Sequence, residues 1–327
     1  MSGLLLRRLL QTPLIVLAVY TITFLLAWAL PGSAVISDEG RQPPAAVLEA
    51  MEAQYNLDNQ WVFYWQYLSD ATGASWLGTK LSGGTWPAER PMLDFGPSLR
   101  HADWRVNEII VGTLPVSVAL GLSAITIALV VGVAVGVIGA LKPNSWIDIT
   151  TLSIALVGIS LPSFLTGTAL LLLFPVLLGV GRVAGWGTVG DMVLPALTLS
   201  LPFAAYIARL TRMGMIDVLG ADYIRTARAK GLPERVVILR HALKNAFLPV
   251  LSYLGPATAF AMTGSFVIEM VFNVPGIGQH FVSAVLTKDL FLIMGIVLIY
   301  STMLVLLNLI VDLLYGWVDP RIGAGSG

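Results

Sequence analysis

The sequence contains no cysteine and only three histidines among its 327 residues. The missing cysteines exclude a disulfide framework, a thiolate nucleophile and a cysteine-based metal site. Charged residues are also scarce, at 12%, against roughly 25% in ordinary globular proteins. Hydrophobic residues make up 56% of the chain. This composition predicts a membrane protein without a metal site rather than the two soluble domains that the length alone suggests.

The short motifs of several enzyme classes are missing as well. The chain has no Gly-Lys-Ser/Thr phosphate-binding loop, so we expect no ATP hydrolysis by this chain alone. Neither a His-Glu-x-x-His nor a Gly-x-Ser-x-Gly motif occurs. Gly185 to Gly190 matches Gly-x-Gly-x-x-Gly, but it follows an apolar run and no βαβ unit surrounds it. We therefore predict no catalytic residue and no cofactor bound by this chain.

Six segments are long and uncharged enough to cross a bilayer, which requires about 20 apolar residues. They lie within Leu9–Leu30, Ile109–Leu141, Ile149–Gly181, Met192–Ala208, Asn245–Ile268 and Leu290–Val311. The fourth has 17 residues and spans only if Asp191 and Arg209 lie at the two interfaces, where long side chains reach water. The pattern predicts an all-α integral membrane protein with six transmembrane helices.

The orientation of the spans follows from the basic residues. Arg7 and Arg8 precede the first apolar segment, whose 22 uncharged residues exceed the core of a cleaved signal peptide. A signal peptide is the alternative, but we interpret residues 1–30 as a retained anchor helix. Cytoplasmic loops are rich in Lys and Arg, so both termini are predicted to be cytoplasmic, with residues 317–327 as a tail.

Residues 31–108, between the first two spans, are predicted to form a small extracytoplasmic lobe. This stretch carries ten acidic and five basic residues and five tryptophans. Asp58–Leu68 is predicted to be an aromatic helix with Asp58 as its N-cap. Two interpretations remain: a folded lobe resting on the membrane surface, or an aromatic belt at the membrane interface.

Residues 109–316 are predicted to form the core of the membrane protein, and three features of it are distinctive. Gly132, Gly136 and Gly139 share one helical face, which favours close helix packing over pore lining. Ser160, Pro162 and Ser163 are candidates for lining a pathway, with a plain helix kink as the alternative. Glu269 is a further pathway candidate, because a carboxylate within a membrane helix is a functional candidate. The alternative for Glu269 is contact with water or a backbone amide at a helix end.

The most basic part of the chain lies between the fourth and fifth spans, within a predicted segment 217–245. Eight Lys or Arg residues stand against three acids between Arg209 and Lys244. The segment reads as two short helices, because Tyr223, Ile224 and Ala227 share a face, Gly231 suits a helix end and Pro233 suits a first turn. We interpret this hairpin as a docking surface for a soluble partner. Cytoplasmic topology and contact with anionic lipid would explain the charge equally well, whereas nucleic-acid binding lacks the stacking aromatics.

The same residues resemble a known family. DYIRTARAKGL (222–232) and RHALKNAFLPV (240–250) resemble the cytoplasmic coupling segment of ABC-transporter permease subunits of the peptide and nickel importer branch. The general pattern has Glu-Ala-Ala before the glycine, where this chain has Arg225, Thr226 and Ala227. Matches continue nearly end to end, most closely to oligopeptide permeases of the B type. They include LRRLLQTP, DFGPS, LPVSVALG, GISLPSF, MTGSFVIE, NVPGIGQ and LLYGWVDPRI.

This resemblance implies the type I ABC importer permease fold, with oligopeptide uptake by alternating access in a bacterial inner membrane. The implied partners are a homologous second permease, two ATPase subunits that bind ATP and Mg, an extracytoplasmic peptide-binding protein, the peptide and membrane lipid. The implied coupling residues are Asp222, Tyr223, Arg225, Thr226, Ala227, Arg228, Gly231, Leu232, Arg235 and Arg240. Dipeptides, nickel or glutathione are alternative cargoes. A non-transporting membrane scaffold is a further alternative. A self-sufficient channel or ion-coupled carrier is disfavoured, because the six core segments carry no ionisable group.

Overall fold

The computed structural model describes residues 2–31, 45–101, 103–263 and 265–318. Within them the regular structure is helical, with one isolated antiparallel bridge between Pro97 and Arg105. The helices are α1 (Ser2–Ala29), α2 (Ala45–Gln54), α3 (Gln60–Ala71), α4 (Ala74–Leu81), α5 (Val106–Leu141), α6 (Trp146–Ser160), α7 (Ser163–Leu171), α8 (Val189–Leu219), α9 (Asp222–Ala229), α10 (Glu234–Val236), α11 (Leu243–Ala246), α12 (Leu248–Thr263), α13 (Phe266–Phe272), α14 (Ile277–Thr287) and α15 (Leu290–Val318). Two π-helical turns follow α7 and α10, at Leu172–Leu177 and Val237–Ala242. Residues 32–44 of the predicted lobe and 319–327 of the predicted tail lie outside the described residues.

Four described helices, α1, α5, α8 and α15, are each long and apolar enough to cross a membrane. Two further candidates are bent pairs. The pair α6 and α7, extended to Leu177, bends by 103°, and the pair Glu234–Ala246 and α12 bends by 56°. The described residues therefore contain four candidate membrane spans, or six if each bent pair is one span. The predicted third span is interrupted because Leu161 and Pro162 leave the helical conformation between α6 and α7.

The fourth predicted span is longer than the run of uncharged residues suggested. Helix α8 has 31 residues and begins with a capping box, in which Thr188 and Asp191 satisfy each other's backbone amides. It continues past Arg209 to Leu219. The charge ends the apolar stretch but does not end the helix, because Arg is a good helix former.

Contacts divide the chain into two compact units. The lobe unit comprises Leu4–Val116 and Gly276–Thr302, and the core unit comprises Met1–Gly3, Ser117–Pro275 and Met303–Gly327. The lobe unit thus includes most of α1, the first turns of α5, α14 and the first turns of α15 in addition to the residues predicted for it.

Aromatic side chains form the core of the lobe unit. Phe63, Tyr64 and Tyr67 of α3 are buried against Tyr20 and Phe24 of α1. The Tyr20 hydroxyl donates to the Tyr64 carbonyl at 2.7 Å, so this contact satisfies a buried polar group. The buried aromatic residues support a folded lobe rather than a belt alone.

The N-cap of α3 corrects one sequence prediction. Asn59, and not Asp58, accepts the amides of Trp61 and Val62 at the start of the helix. Both residue types are good N-caps, so composition alone did not separate two neighbouring positions.

Buried carboxylates hold the loop that precedes α5. Asp94 accepts hydrogen bonds from the Gly96 amide, from Arg90 and from Arg105. Burial alone would raise the pKa of Asp94, but these three donors hold that pKa below its usual value. Asp289, before α15, accepts from the Ser98 hydroxyl at 2.5 Å. Both contacts lie within the lobe unit.

In the core unit, α5 packs closely on α8 along the predicted glycine face. A Cβ atom at Gly132 would lie 2.7 Å from the Ala204 carbonyl, and one at Gly136 would lie 2.6 Å from the Ala208 carbonyl. These distances are too short for any side chain. The contacts confirm the prediction of close helix packing for Gly132 and Gly136, whereas a Cβ atom at Gly139 would lie nearest the Asp148 carboxylate, at 3.1 Å.

Candidate coupling surface and pathway

Helix α9 is the first arm of the predicted coupling hairpin and is strongly amphipathic. Ile224 is fully buried and Ala227 is 7% exposed, while Asp222, Arg225 and Thr226 are exposed. The buried pair belongs to a small apolar cluster of the core unit. The other buried members are Ala140, Met215, Val237, Ala242 and Ala246. Since Met215 lies on α8 and Ala140 on α5, this cluster attaches α9 to both long helices.

The end of α9 has the geometry that the sequence predicted. Gly231 has φ of +74°, a conformation that glycine adopts without steric cost. Its amide donates to the Arg228 carbonyl at 2.9 Å, and the Leu232 amide donates to the Ala227 carbonyl at 3.4 Å. These two bonds form a Schellman motif, so Gly231 ends the helix as expected. Pro233 then directly precedes α10.

The second arm departs from a regular helix. After the short α10, the chain forms the π-helical turn Val237–Ala242 before α11. Val237 and Ala242 are both buried, whereas Leu239 and Arg240 between them are exposed. π-helical turns occur frequently at functional sites. Sequence periodicity did not predict this turn, because the hydrophobic pattern is compatible with an ordinary helix.

The exposed face of the hairpin carries salt bridges between its own residues. Arg228 binds Glu234 through two bonds of 2.6 and 3.1 Å, and Arg225 lies 3.3 Å from Asp222. The hydrogen bonds from Arg228 lower the pKa of the Glu234 carboxyl. This pairing connects the two arms across the Gly231 turn.

The structure brings the predicted coupling residues onto one hairpin, and most of them face solvent. The exposed ones are Asp222, Tyr223, Arg225, Thr226, Arg228, Gly231, Leu232, Arg235 and Arg240. Ala227 instead faces the interior of its own chain. Its place among the docking residues stays a prediction, and its observed contacts are with the buried apolar cluster.

A buried ion pair between α6 and α8 was not predicted. Asp148, 1% exposed at the start of α6, binds Arg212 of α8 through two bonds of 2.5 and 2.6 Å. The Asn144 amide donates to the same carboxylate at 2.8 Å. Ser145 caps α6 by accepting the Asp148 amide at 3.3 Å. The Ser-x-x-Asp pattern before an apolar run is the signal that could have marked this position.

The pathway candidates divide into two environments. Ser160 and Pro162 are exposed at the break between α6 and α7, and Ser163 is half-buried there. Glu269 is fully buried in α13 and accepts hydrogen bonds from Ser117 at 2.6 Å and from Ser265 at 2.5 Å. Non-helical backbone at membrane depth occurs where it is buried in protein or lines a cavity. The break therefore suits a pathway better than the buried Glu269 does, and all four roles stay predictions.

Comparison with known proteins identifies the family. Residues 132–324 match the family described as binding-protein-dependent transport system inner membrane component. The match covers more than half of the chain and includes the whole hairpin. The chain belongs to this family. Binding-protein-dependent transport components are membrane proteins, in agreement with the apolar helices of this chain.

Individual members of the family align over nearly the full length. The oligopeptide transport system permease protein OppB of Escherichia coli K12 is 40% identical over 325 residues, which covers 98% of this chain and 99% of the relative. The dipeptide transport system permease protein DppB of Bacillus subtilis is 40% identical over 308 residues, covering 94% and 93%. The resemblance inferred from the sequence is confirmed.

A solved structure supports the fold. A chain of the MetNI methionine ABC transporter in an inward-facing conformation superposes with a TM-score of 0.52. It is 17% identical and covers 65% of this chain and 97% of that chain. The predicted fold class, that of ABC importer permeases, is confirmed.

Proposed function

We propose that this chain is the membrane-spanning permease subunit of an ATP-driven importer of peptides. The observation that carries the proposal is the 40% identity, over nearly the whole length, to named peptide permeases. The chain works beside a homologous second permease, two ATPase subunits that hold ATP and Mg, and an extracytoplasmic peptide-binding protein. It lies in a bacterial inner membrane with both termini in the cytoplasm.

The coupling hairpin supplies the mechanical link to the ATPases. The chain has no phosphate-binding loop, so the work of transport enters through a protein contact. The short α9 fits a helix-in-groove contact, with Arg225, Arg235 and Arg240 facing acidic residues of the partner. Because Ile224 and Ala227 hold α9 against the cluster that contains Met215 and Ala140, a push on α9 moves α8 and α5 with it.

The Asp148–Arg212 pair extends this link towards the pathway. Arg212 lies on α8, ten residues before α9 begins, and Asp148 lies in the first turn of α6. Helix α6 ends at the break where Ser160 and Pro162 are exposed. Motion of α8 therefore reaches the break through one rigid helix. Nucleotide binding and hydrolysis then bias the outward- and inward-facing states of the pathway.

Oligopeptides are the proposed cargo, and dipeptides are the second candidate. The oligopeptide and dipeptide relatives are both 40% identical to this chain, so identity does not rank them. Nickel and glutathione remain the alternatives from the sequence. Identifying the ligand that co-purifies with the proposed binding protein of this importer distinguishes the four cargoes.

Reversing two exposed charges of the hairpin tests the coupling role. We expect Arg225→Glu/Arg235→Glu to reduce peptide-stimulated ATP hydrolysis of the reconstituted complex at least about tenfold, because charge reversal replaces attraction with repulsion at the contact. The variant leaves intact the Arg228–Glu234 pair, which joins the two arms, and removes only the exposed Arg225–Asp222 pair within α9. The measurement is ATPase activity together with co-purification of the ATPase subunits.

The control for this variant is Lys142→Glu, which reverses an exposed charge in the α5–α6 loop. We expect that control to retain both association and ATP hydrolysis. If Arg225→Glu/Arg235→Glu keeps the parent's peptide-stimulated ATP hydrolysis, the hairpin does not couple this chain to the ATPases. Peptide uptake by this chain without ATPase subunits would instead support the self-sufficient channel or carrier.

The break between α6 and α7 is tested with single cysteines, which the cysteine-free chain permits. We expect Ser160→Cys to react with a water-soluble thiol reagent at a rate that changes when nucleotide is added. Ser117→Cys, buried beside Glu269, is the matched control and should stay unreactive. Reaction of Ser160→Cys only with lipid-soluble reagents would place the break against lipid rather than along a pathway.

A further inference from the structure

Helix α3 of the lobe unit lies beside the apolar part of α1 instead of beyond its end. Tyr64 contacts Tyr20 with ring centroids 4.9 Å apart, and Phe63 contacts Phe24 and Trp28 at 6.1 and 5.8 Å. The Tyr64 hydroxyl is 2.8 Å from the Thr21 hydroxyl. These α1 residues repeat over two turns of one helix face, and each of them contacts α3.

The position of these contacts gives α3 a depth in the membrane. The apolar part of α1 that is long enough to cross is Leu10–Ala29. Tyr20 lies nine residues before Ala29, about 14 Å along the helix axis at 1.5 Å per residue. The hydrocarbon core is about 30 Å thick. The aromatic face of α3 therefore lies level with the half of the bilayer that is nearer the lobe.

The opposite face of α3 exposes two tryptophans. Trp61 is 55% exposed and Trp65 is 63% exposed, one turn apart, with the half-exposed Val62 beside them. No charged residue occurs from Gln60 to Ser69. On the α1 stretch alongside, Ile22, Leu25 and Leu26 are also exposed and apolar. Both helices thus present the surface that lipid contact requires.

We infer that α3 is an interfacial membrane helix whose Trp61 and Trp65 side chains bind the lipid of the leaflet on the lobe side. A helix of 12 residues is too short to span, so it reaches from the interface beside Trp28 towards the middle of the bilayer beside Tyr20 without crossing it. Tryptophan prefers this region, because its ring is apolar and its indole N–H bonds to headgroups or water. The helix thereby anchors the lobe beside α1.

The depth of α3 is the reason for choosing lipid over a soluble protein as the occupant. A water-soluble binding protein reaches surfaces above the headgroups. Helix α3 instead contacts α1 as far as Tyr20, which is in the middle of the apolar stretch Leu10–Ala29. The burial of Tyr64, whose carbonyl accepts from Tyr20, also suits a site with little water.

Spin labels at single cysteines test the inference in the full chain reconstituted into phosphatidylethanolamine and phosphatidylglycerol nanodiscs. We expect labels at Trp61→Cys and Trp65→Cys to collide with molecular oxygen, which concentrates in lipid, and to be shielded from a water-soluble nickel chelate. The lipid reference is Leu26→Cys, which should behave alike. The water reference is Lys80→Cys near the end of α4, exposed in the same unit, which should show the opposite preference.

Two results would overturn the inference. Labels at positions 61 and 65 that collide with the nickel chelate as readily as the label at position 80 would place this face in water. Labels that neither reagent reaches would place it against protein.

A second measurement uses phenylalanine instead of cysteine at positions 61 and 65. Phenylalanine keeps an aromatic ring at both positions, so it disturbs the fold less than cysteine does. Lipids brominated near the headgroup quench tryptophans at that depth, and we expect Trp61→Phe/Trp65→Phe to lose part of the quenchable fluorescence. Trp86→Phe should not, because its indole N–H donates to the Arg90 carbonyl at 2.7 Å within the lobe. Equal quenching in the parent and the double variant would contradict the proposal.

Discussion

Replacing Arg212 by methionine is expected to lower the free energy of unfolding by about 3 kcal/mol. Methionine keeps most of the side-chain volume but leaves the Asp148 carboxylate, which is 1% exposed, with only the Asn144 amide as a charge-stabilising donor. An unpaired buried charge costs far more than the pair itself contributes. The measurement is the loss of folded protein in mixed micelles with increasing dodecyl sulfate.

Two further variants separate the buried charge from a general loss of packing. Asp148→Asn/Arg212→Met removes both charges and should regain more than half of the lost stability, since replacing a whole buried pair is often nearly neutral. Arg228→Met breaks the exposed pair with Glu234 and should change stability little. If Arg212→Met behaves like Arg228→Met, the carboxylate reaches water and the pair does not lock α6 to α8.

Replacing Gly136 by leucine is expected to lower the free energy of unfolding by at least about 2 kcal/mol. Its Cβ alone would lie 2.6 Å from the Ala208 carbonyl and from Thr211, and 3.1 Å from the Arg212 amide. Backbone atoms cannot rotate away as a side chain can, so α5 and α8 must separate. The same detergent titration measures the effect.

Gly112→Leu is the matched control on the same helix. No atom lies within 4 Å of a Cβ placed at Gly112, and Gly112 is exposed. Leucine there should be neutral or slightly stabilising, because leucine favours helix more than glycine does. Equal destabilisation by both substitutions would show that α5 tolerates no leucine for reasons unrelated to α8. Neutrality of Gly136→Leu would contradict the close approach of the two helices.

Local patterns predicted much of the coupling hairpin correctly. Ile224 and Ala227 were placed on one face by helical spacing, and both are buried. Gly231 was predicted to end the helix, and it does so with positive φ. Such features depend on residues within about one turn of each other, and their energetics are therefore present in the sequence. The family followed from the same short stretches.

Longer-range features were not predictable in this way. Asp148 and Arg212 are 64 residues apart, and Ser117 and Glu269 are 152 apart. Each side chain alone shows only a polar residue within or near a helix. The pairing depends on how α5 packs on α13 and α6 on α8, which hydrophobic periodicity does not predict.

The sequence by itself determined the helical, membrane-spanning character of this protein, its basic hairpin and its family, because composition, spacing and helix-ending residues act locally. Only the tertiary structure decided that Pro162 breaks a span, that Asp148 pairs with Arg212 and that α3 lies beside α1. The physical reason is that buried charges and aromatic faces acquire partners only when distant helices come together. Helix packing, and not the local sequence around each residue, therefore selects the partner.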